Sequence, residues 1–126
     1  MIGYAMLGTN DLPRALAFYD ALLPVLGGKR IYGSERFMTY GRSFPSLGIC
    51  LPYDGGKATP GNGTMIALSA DTRAAVADAH AVALSLGGTD EGAPGLRGGD
   101  ESDFYAAYFR DLDGNKLCIF KSGPEA

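Results

Sequence analysis

Cys50 and Cys118 are the two thiols of this 126-residue sequence. Together with Met65 they form a soft donor set able to hold Cu(I) or Zn²⁺, or to cycle as a redox pair. Thiols and thioethers are also compact apolar fillers, among the most buried side chains, and that packing role carries the greater weight here. His80 is the single imidazole; one histidine cannot build a metal centre, and its place beside an apolar helical stripe assigns it a structural role. Tyr4, Tyr40 and Tyr108 can wall a cavity with aromatic surface and offer a hydroxyl at its edge. Arg42 and Arg110 can grip a carboxylate or phosphate through two parallel N–H bonds. The plainer alternative is that the tyrosines pack a sheet and the arginines reach solvent.

A duplication brings these residues into relation. Under a shift of sixty positions Asp11 falls on Asp71, Ala15 on Ala75, Ala17 on Ala77, Ala21 on Ala81, Leu26 on Leu86 and Gly27-Gly28 on Gly87-Gly88. Each copy reads as an apolar strand, a helix opened by a capping residue, and a Gly-Gly stop. In the first copy the strand covers Ile2 to Gly8, Asn10 or Asp11 caps the helix, and Pro13 occupies the first turn, where no donor is needed. Leu12, Ala15, Leu16, Tyr19, Leu22, Leu23 and Leu26 form one apolar face, and Pro24 ends or kinks the helix. In the second copy the strand is Met65 to Ser69, Asp71 the cap, and Val76, Ala79, Ala83 and Leu84 the buried stripe.

A shift of sixty-eight aligns the later segments: Tyr40 with Tyr108, Arg42 with Arg110, Cys50 with Cys118. Arg36 to Tyr40, Leu47 to Leu51, Phe104 to Arg110 and Lys116 to Phe120 have the composition of strands. Asp111-Leu112-Asp113-Gly114-Asn115 has the chemistry of a hairpin turn. Asp90 to Asp103, rich in Gly, Pro and acidic residues, reads as a flap over a cavity mouth. The expected architecture is α+β: one domain over residues 1–126 made of two tandem βαβββ modules, about 1–53 and 64–122, with a linker over about 54–63. A sheet with a helix on one face leaves the other face bare. The two sheets therefore form an open, barrel-like surface with a central cleft, helices outside. The duplication points the paired Cys50 and Cys118 into that cleft, and counting in twos along the strands from Cys118 and Met65, with the pairing of the modules, turns Tyr40 and Tyr108 toward it.

The net charge of −3 gives no basic face for nucleic acid and no polybasic patch for a membrane surface. No apolar run reaches spanning length, no basic segment precedes the first strand in the manner of a signal peptide, and two cysteines make no disulfide framework. A cytoplasmic protein is expected.

The segments Asn10 to Tyr19, Gly61 to Leu68 and Tyr105 to Asn115 resemble the strand-to-helix start, second-module strand and Asp-Gly-Asn hairpin of the glyoxalase/bleomycin-resistance/dioxygenase (vicinal oxygen chelate) superfamily. Leu112 replaces the proline of the family's hairpin. The resemblance implies this fold, a homodimer, and, in the family's enzymes, a divalent metal held by His and Glu from four strands. Carried over, those ligands fall on Tyr4, Cys50, Met65 and Cys118. None is a histidine or carboxylate, and hard cations want oxygen ligands. No metal or other cofactor is therefore expected, nor the metal-dependent lyase or dioxygenase reactions. What remains is a protein that binds a small molecule between its modules, as bleomycin-type resistance proteins do, with Tyr4, Tyr40, Arg42, Cys50, Met65, Tyr108, Arg110 and Cys118 lining the pocket. Two alternatives stand beside it. One is a lyase or isomerase using tyrosine or cysteine as acid and base, or a soft metal at Cys50 and Cys118. The other is an interaction module whose cavity is closed by Tyr4, Met6 and Met65.

Overall fold

The computed structural model describes residues 1–99 and 101–125. In chain order it contains β1 (Tyr4–Gly8), α1 (Leu12–Leu22), a 3₁₀ turn (Leu23–Leu26), β2 (Lys29–Gly33), β3 (Phe37–Gly41), β4 (Ser46–Cys50), β5 (Ile66–Ser69), α2 (Arg73–Ser85), β6 (Thr89–Arg97), β7 (Phe104–Arg110) and β8 (Lys116–Lys121). The strands make two four-stranded mixed sheets, ordered β1-β4-β3-β2 and β5-β8-β7-β6. In each, the first strand runs parallel to the fourth and the rest pair antiparallel. The α+β architecture of two βαβββ units is thus present. The sheets are curved open layers and do not close into a barrel.

Local chemistry sets the helix boundaries. Asp11 caps α1 by accepting the Arg14 N–H at 3.1 Å, with proline in the first turn. Pro24 cannot donate to a continuing α-helix, so the chain tightens into the 3₁₀ turn and stops at Gly27, whose φ of +79° favours glycine. At α2 the cap is Thr72, which accepts the Ala75 N–H at 3.0 Å, and not Asp71. Asp71 lies one residue too early to reach that donor and pairs with Arg42 instead.

The helices meet on the backs of the sheets, and a single core serves both units. Tyr19 of α1 packs against Tyr40 of the first sheet, ring centroids 6.2 Å apart, while its neighbour Phe18 packs against Phe109 of the second at 6.3 Å. One apolar stripe accounts for Tyr19 but not for Phe18, which is buried because α1 touches both sheets. Fully burying such a side chain contributes about 1.5–3 kcal/mol. On α2, Val76, Ala79 and Ala83 are buried, and small alanines let the two helices approach. His80 is buried as well, its Nε2 3.0 Å from Asp90 Oδ1, a structural contact between α2 and β6.

A polar clasp ties the units together through the turn after β7. Asp111, 6% exposed, accepts the Tyr19 hydroxyl at 2.6 Å, the Asn115 side-chain amide at 3.0 Å and the backbone N–H groups of Asp113 and Asn115 at 2.9 Å. Asp113 accepts from the Thr9 hydroxyl and the Asn10 N–H, and Asn115 donates to the Gly8 carbonyl. The corresponding turn after β3 sends Arg42 to Asp71 of the other unit at 2.8 Å.

The stretch read as a flap is largely strand. β6 runs through Ala93, Pro94 and Gly95 and pairs with β7, with register irregularities on either side of Gly92. Edge strands tolerate proline and bulges because one side of their ladder is unpaired, so its composition hid it. Residue Asp100 lies outside the described residues. No helix of the described residues is long and apolar enough to cross a membrane.

Candidate functional site

The faces of the two sheets that turn away from the helices carry most of the expected residues. On the first sheet the register aligns Met6 with Gly48 and Gly48 with Thr39, and Phe37 with Cys50. Met6 lies across Gly48, its Sδ in the space that a Cβ there would occupy. Tyr4, 62% exposed, stands two residues before Met6 on the same face. On the second sheet Ala67 aligns with Cys118, and Cys118 with Tyr108. Cys118 is buried at the floor of this face, and Tyr108 is half-buried above it.

Tyr40 is not on this surface. It pairs with Leu47 on the helix side, is 2% exposed, and its hydroxyl donates to Asp20 at 2.9 Å. Equal spacing misleads here because Tyr40 lies seven residues from its cross-strand partner Leu47, whereas Tyr108 lies ten from Cys118. The odd difference moves the side chain to the opposite face. The same register shows that, if Tyr4 and Met65 are equivalent, the residue standing where Cys118 stands is Gly48. Cys50 is two residues further along on the same face.

Tyr40 and Arg42 instead border a second space, an open cleft of about 660 Å³ between the β1 and β5 edges, which Met65 also reaches from the start of β5. Its wall is apolar, with Ile2, Leu26, Phe44 and Leu47. The sequence-predicted residues therefore separate into the two bare faces (Tyr4 and Cys50; Met65, Tyr108, Arg110 and Cys118) and this cleft (Tyr40 and Arg42).

The two arginines singled out by spacing are already engaged. Arg42 bonds Asp71 and the Leu26 carbonyl. Arg110 bonds Glu91 and the Gly114 carbonyl. The cations that flank Tyr108 are different: the Arg97 guanidinium lies 5.6 Å and the Lys116 ammonium 5.7 Å from its ring centroid. Lys116 was legible by alternation, two residues before Cys118. Arg97 was not, since it reaches Tyr108 only by folding back along an edge strand that had been read as loop.

Burial pushes the Cys118 thiol and the Tyr108 phenol above their ordinary values, and Cys118 adds to the effect on Tyr108. Burial also pushes Cys50 up. All three groups hold their protons at neutral pH. That disfavours thiolate chemistry, because the thiolate is both the nucleophile and the metal ligand. Among the described residues no three His, Cys, Asp or Glu side chains gather in a metal-binding group. At the four positions implied by the resemblance the donors are a phenol, a thioether and thiols, which do not suit a hard divalent cation.

Comparison with known proteins agrees with this fold. Residues 1–119 match the Glyoxalase/Bleomycin resistance protein/Dioxygenase superfamily. A glyoxalase/bleomycin resistance protein from Albidiferax ferrireducens T118 is similar in structure with a TM-score of 0.86 at 36% identity, over 96% of this chain and 98% of that one. A glyoxalase/bleomycin resistance protein/dioxygenase family enzyme from Burkholderia phytofirmans PsJN gives 0.75 at 21% identity, over 97% and 98%. A lactoylglutathione lyase from Agrobacterium tumefaciens gives 0.66 at 18%, over 96% and 92%; these last two likenesses speak for the fold alone. No curated protein matches the chain.

Proposed function

Because the chain belongs to the glyoxalase/bleomycin resistance protein/dioxygenase superfamily, we propose that it is a small-molecule-binding member that works without the family's metal, in a cleft completed by a second copy of itself. The observation that carries the metal-free reading is the donor set: Tyr4, Met65, Cys118 and either Cys50 or Gly48 supply no imidazole and no carboxylate. With Cys50, Tyr108 and Cys118 pushed toward their protonated forms by burial, a thiolate enzyme finds less support than a binding protein.

The second copy follows from what one chain leaves open. β1 and β5 are both edge strands. Thr9 and Ala70 donate inward to β4 and β8, so alternate residues, Tyr4, Met6, Ala67 and Ser69, aim their backbone groups outward. Along the same two edges Ile2, Tyr4, Met6, Phe44 and Met65 are exposed, with Ile2 at 67% and Phe44 at 71%. A contiguous apolar border of this kind marks an interaction surface. Bringing β1 of one copy beside β5 of another joins the two bare faces into one concave wall holding Tyr4, Thr39, Cys50, Tyr108 and Cys118. Two free thiols fit a reducing compartment, and we place the protein in the cytoplasm.

Binding of 2-naphthamide, an uncharged aromatic, followed by its fluorescence, tests the cleft. A dissociation constant on the order of 0.1–1 mM is expected for a ligand of that size. Thr39→Trp, which fills the middle of the first sheet's bare face, should abolish binding while leaving the fold intact. A probe that fails to bind, or that binds Thr39→Trp equally well, contradicts the reading.

A further inference from the structure

The cleft proposed above has an uneven charge, and the imbalance is specific enough to name the class of ligand. Arg97, Arg110 and Lys116 lie on or beside the outer face of the second sheet, and Lys121 ends β8 on its other side. Arg110 is neutralised by Glu91, and Lys121 is bound to the carbonyls of Ser122 and Pro124 at the chain's end. Arg97 and Lys116 differ from both. Among the described residues neither has a carboxylate partner. Both stand against the same tyrosine, and both are half-buried.

The Arg97 guanidinium is also held in place. It folds back along β6 and donates to the carbonyls of Ala93 at 2.6 Å and Gly95 at 2.8 Å. Room for that path exists because Gly92 and Gly95 have no side chains: a Cβ at either would lie within 3.3 Å of the guanidinium nitrogens. The carbonyls fix its position without cancelling its charge, and its remaining N–H groups are available. Lys116 approaches from β8, on the opposite side of β7. The outcome is an aromatic ring flanked from two strands by cations that ordinary packing does not require. Half-burying a charge without a counter-ion is unfavourable, and a tethered guanidinium beside a second cation, neither with a carboxylate partner among the described residues, is what an anion-recognition site presents.

We propose that Arg97 and Lys116, set on either side of the Tyr108 ring, bind the anionic group of an aromatic or otherwise planar carboxylate or phosphate-type ligand, whose apolar body lies on the wall opposite. This rests on the cleft reading. The cations grip the charge and the opposite wall covers the apolar part, so both parts of the ligand contribute.

The test compares 2-naphthoate with 2-naphthamide, which share shape and differ in charge. Naphthoate is expected to bind at least about tenfold more tightly, in keeping with a charge-assisted hydrogen bond. Lys116→Gln and Arg97→Gln should each remove most of that advantage and leave naphthamide binding unchanged. The Lys116 side chain makes no hydrogen bond among the described residues, so Lys116→Gln leaves the fold undisturbed and remains informative even if Arg97→Gln is unstable. The naphthoate advantage should also shrink between 50 and 500 mM salt on screening grounds. Equal affinity for the two probes, or an advantage that survives both substitutions, overturns the anion site while leaving the cleft standing. If neither probe binds, both proposals fall.

Discussion

Urea denaturation of Asp111→Ala is expected to show a loss of about 3–5 kcal/mol, the scale of removing one member of a buried, fully hydrogen-bonded charged network. Four donors point at this carboxylate, and alanine would strand the Tyr19 hydroxyl in the core between the two units. Tyr19→Phe removes one donor and leaves the other three satisfied, so it should cost less, about 1–3 kcal/mol. The same pair carries a pH signature. Burial foremost, then the Asp111 charge, pushes the Tyr19 phenol well above its ordinary value of 10. A group that holds its proton more tightly when folded stabilises the fold fully below its unfolded pKa, and that contribution is lost as pH rises above about 10. Tyr19→Phe should therefore lower stability at pH 7 while flattening the alkaline fall. An Asp111→Ala protein as stable as the wild type would mean that the clasp does not join the units.

The second large effect concerns the edges. Sedimentation should find the wild-type protein dimeric at micromolar concentration, and Tyr4→Glu/Met65→Glu monomeric, with association weakened by at least about 100-fold, the scale of losing interface hot spots. Both residues are exposed in the single chain, at 62% and 43%, so carboxylates there cost the isolated fold little. In a two-fold assembly each substitution appears twice, placing four carboxylates along the junctions where β1 meets β5. A wild-type protein that sediments as a monomer, or a double variant that stays dimeric, removes the second copy from the account.

The sequence conveyed the repeat, the Asp11 cap, the Pro24 stop and the Asp111–Asn115 turn because each depends on chemistry within a few residues. The strands at the middle of the sheets were readable for the same reason: β4 and β8 carry runs that are apolar enough to be buried. β2 and β6, the outer edges, were not, since an edge strand pairs on one side only and tolerates the Gly, Pro and charged residues that otherwise signal loop. Tyr40 shows the limit for the site. Its alignment with Tyr108 is real at the level of spacing, but a turn shorter by three residues sends it to the other face, where it binds Asp20. Arg97 shows a second limit, because nothing local tells that a side chain on one strand will fold back over two glycines to reach a tyrosine on the next. Arg42 and Arg110, whose spacing was conspicuous, are engaged with acidic partners instead.

The central claim is that the cleft takes its ligand without a metal ion. Its most direct test is elemental analysis of the protein after it has been incubated with Ni²⁺, Mn²⁺, Zn²⁺ and Mg²⁺ and desalted. Substoichiometric metal is expected in every case, because a phenol, a thioether and two thiols on different sheets bring no imidazole or carboxylate together for these ions. One tightly held ion per chain, lost when Tyr4 or Cys118 is replaced, would contradict it.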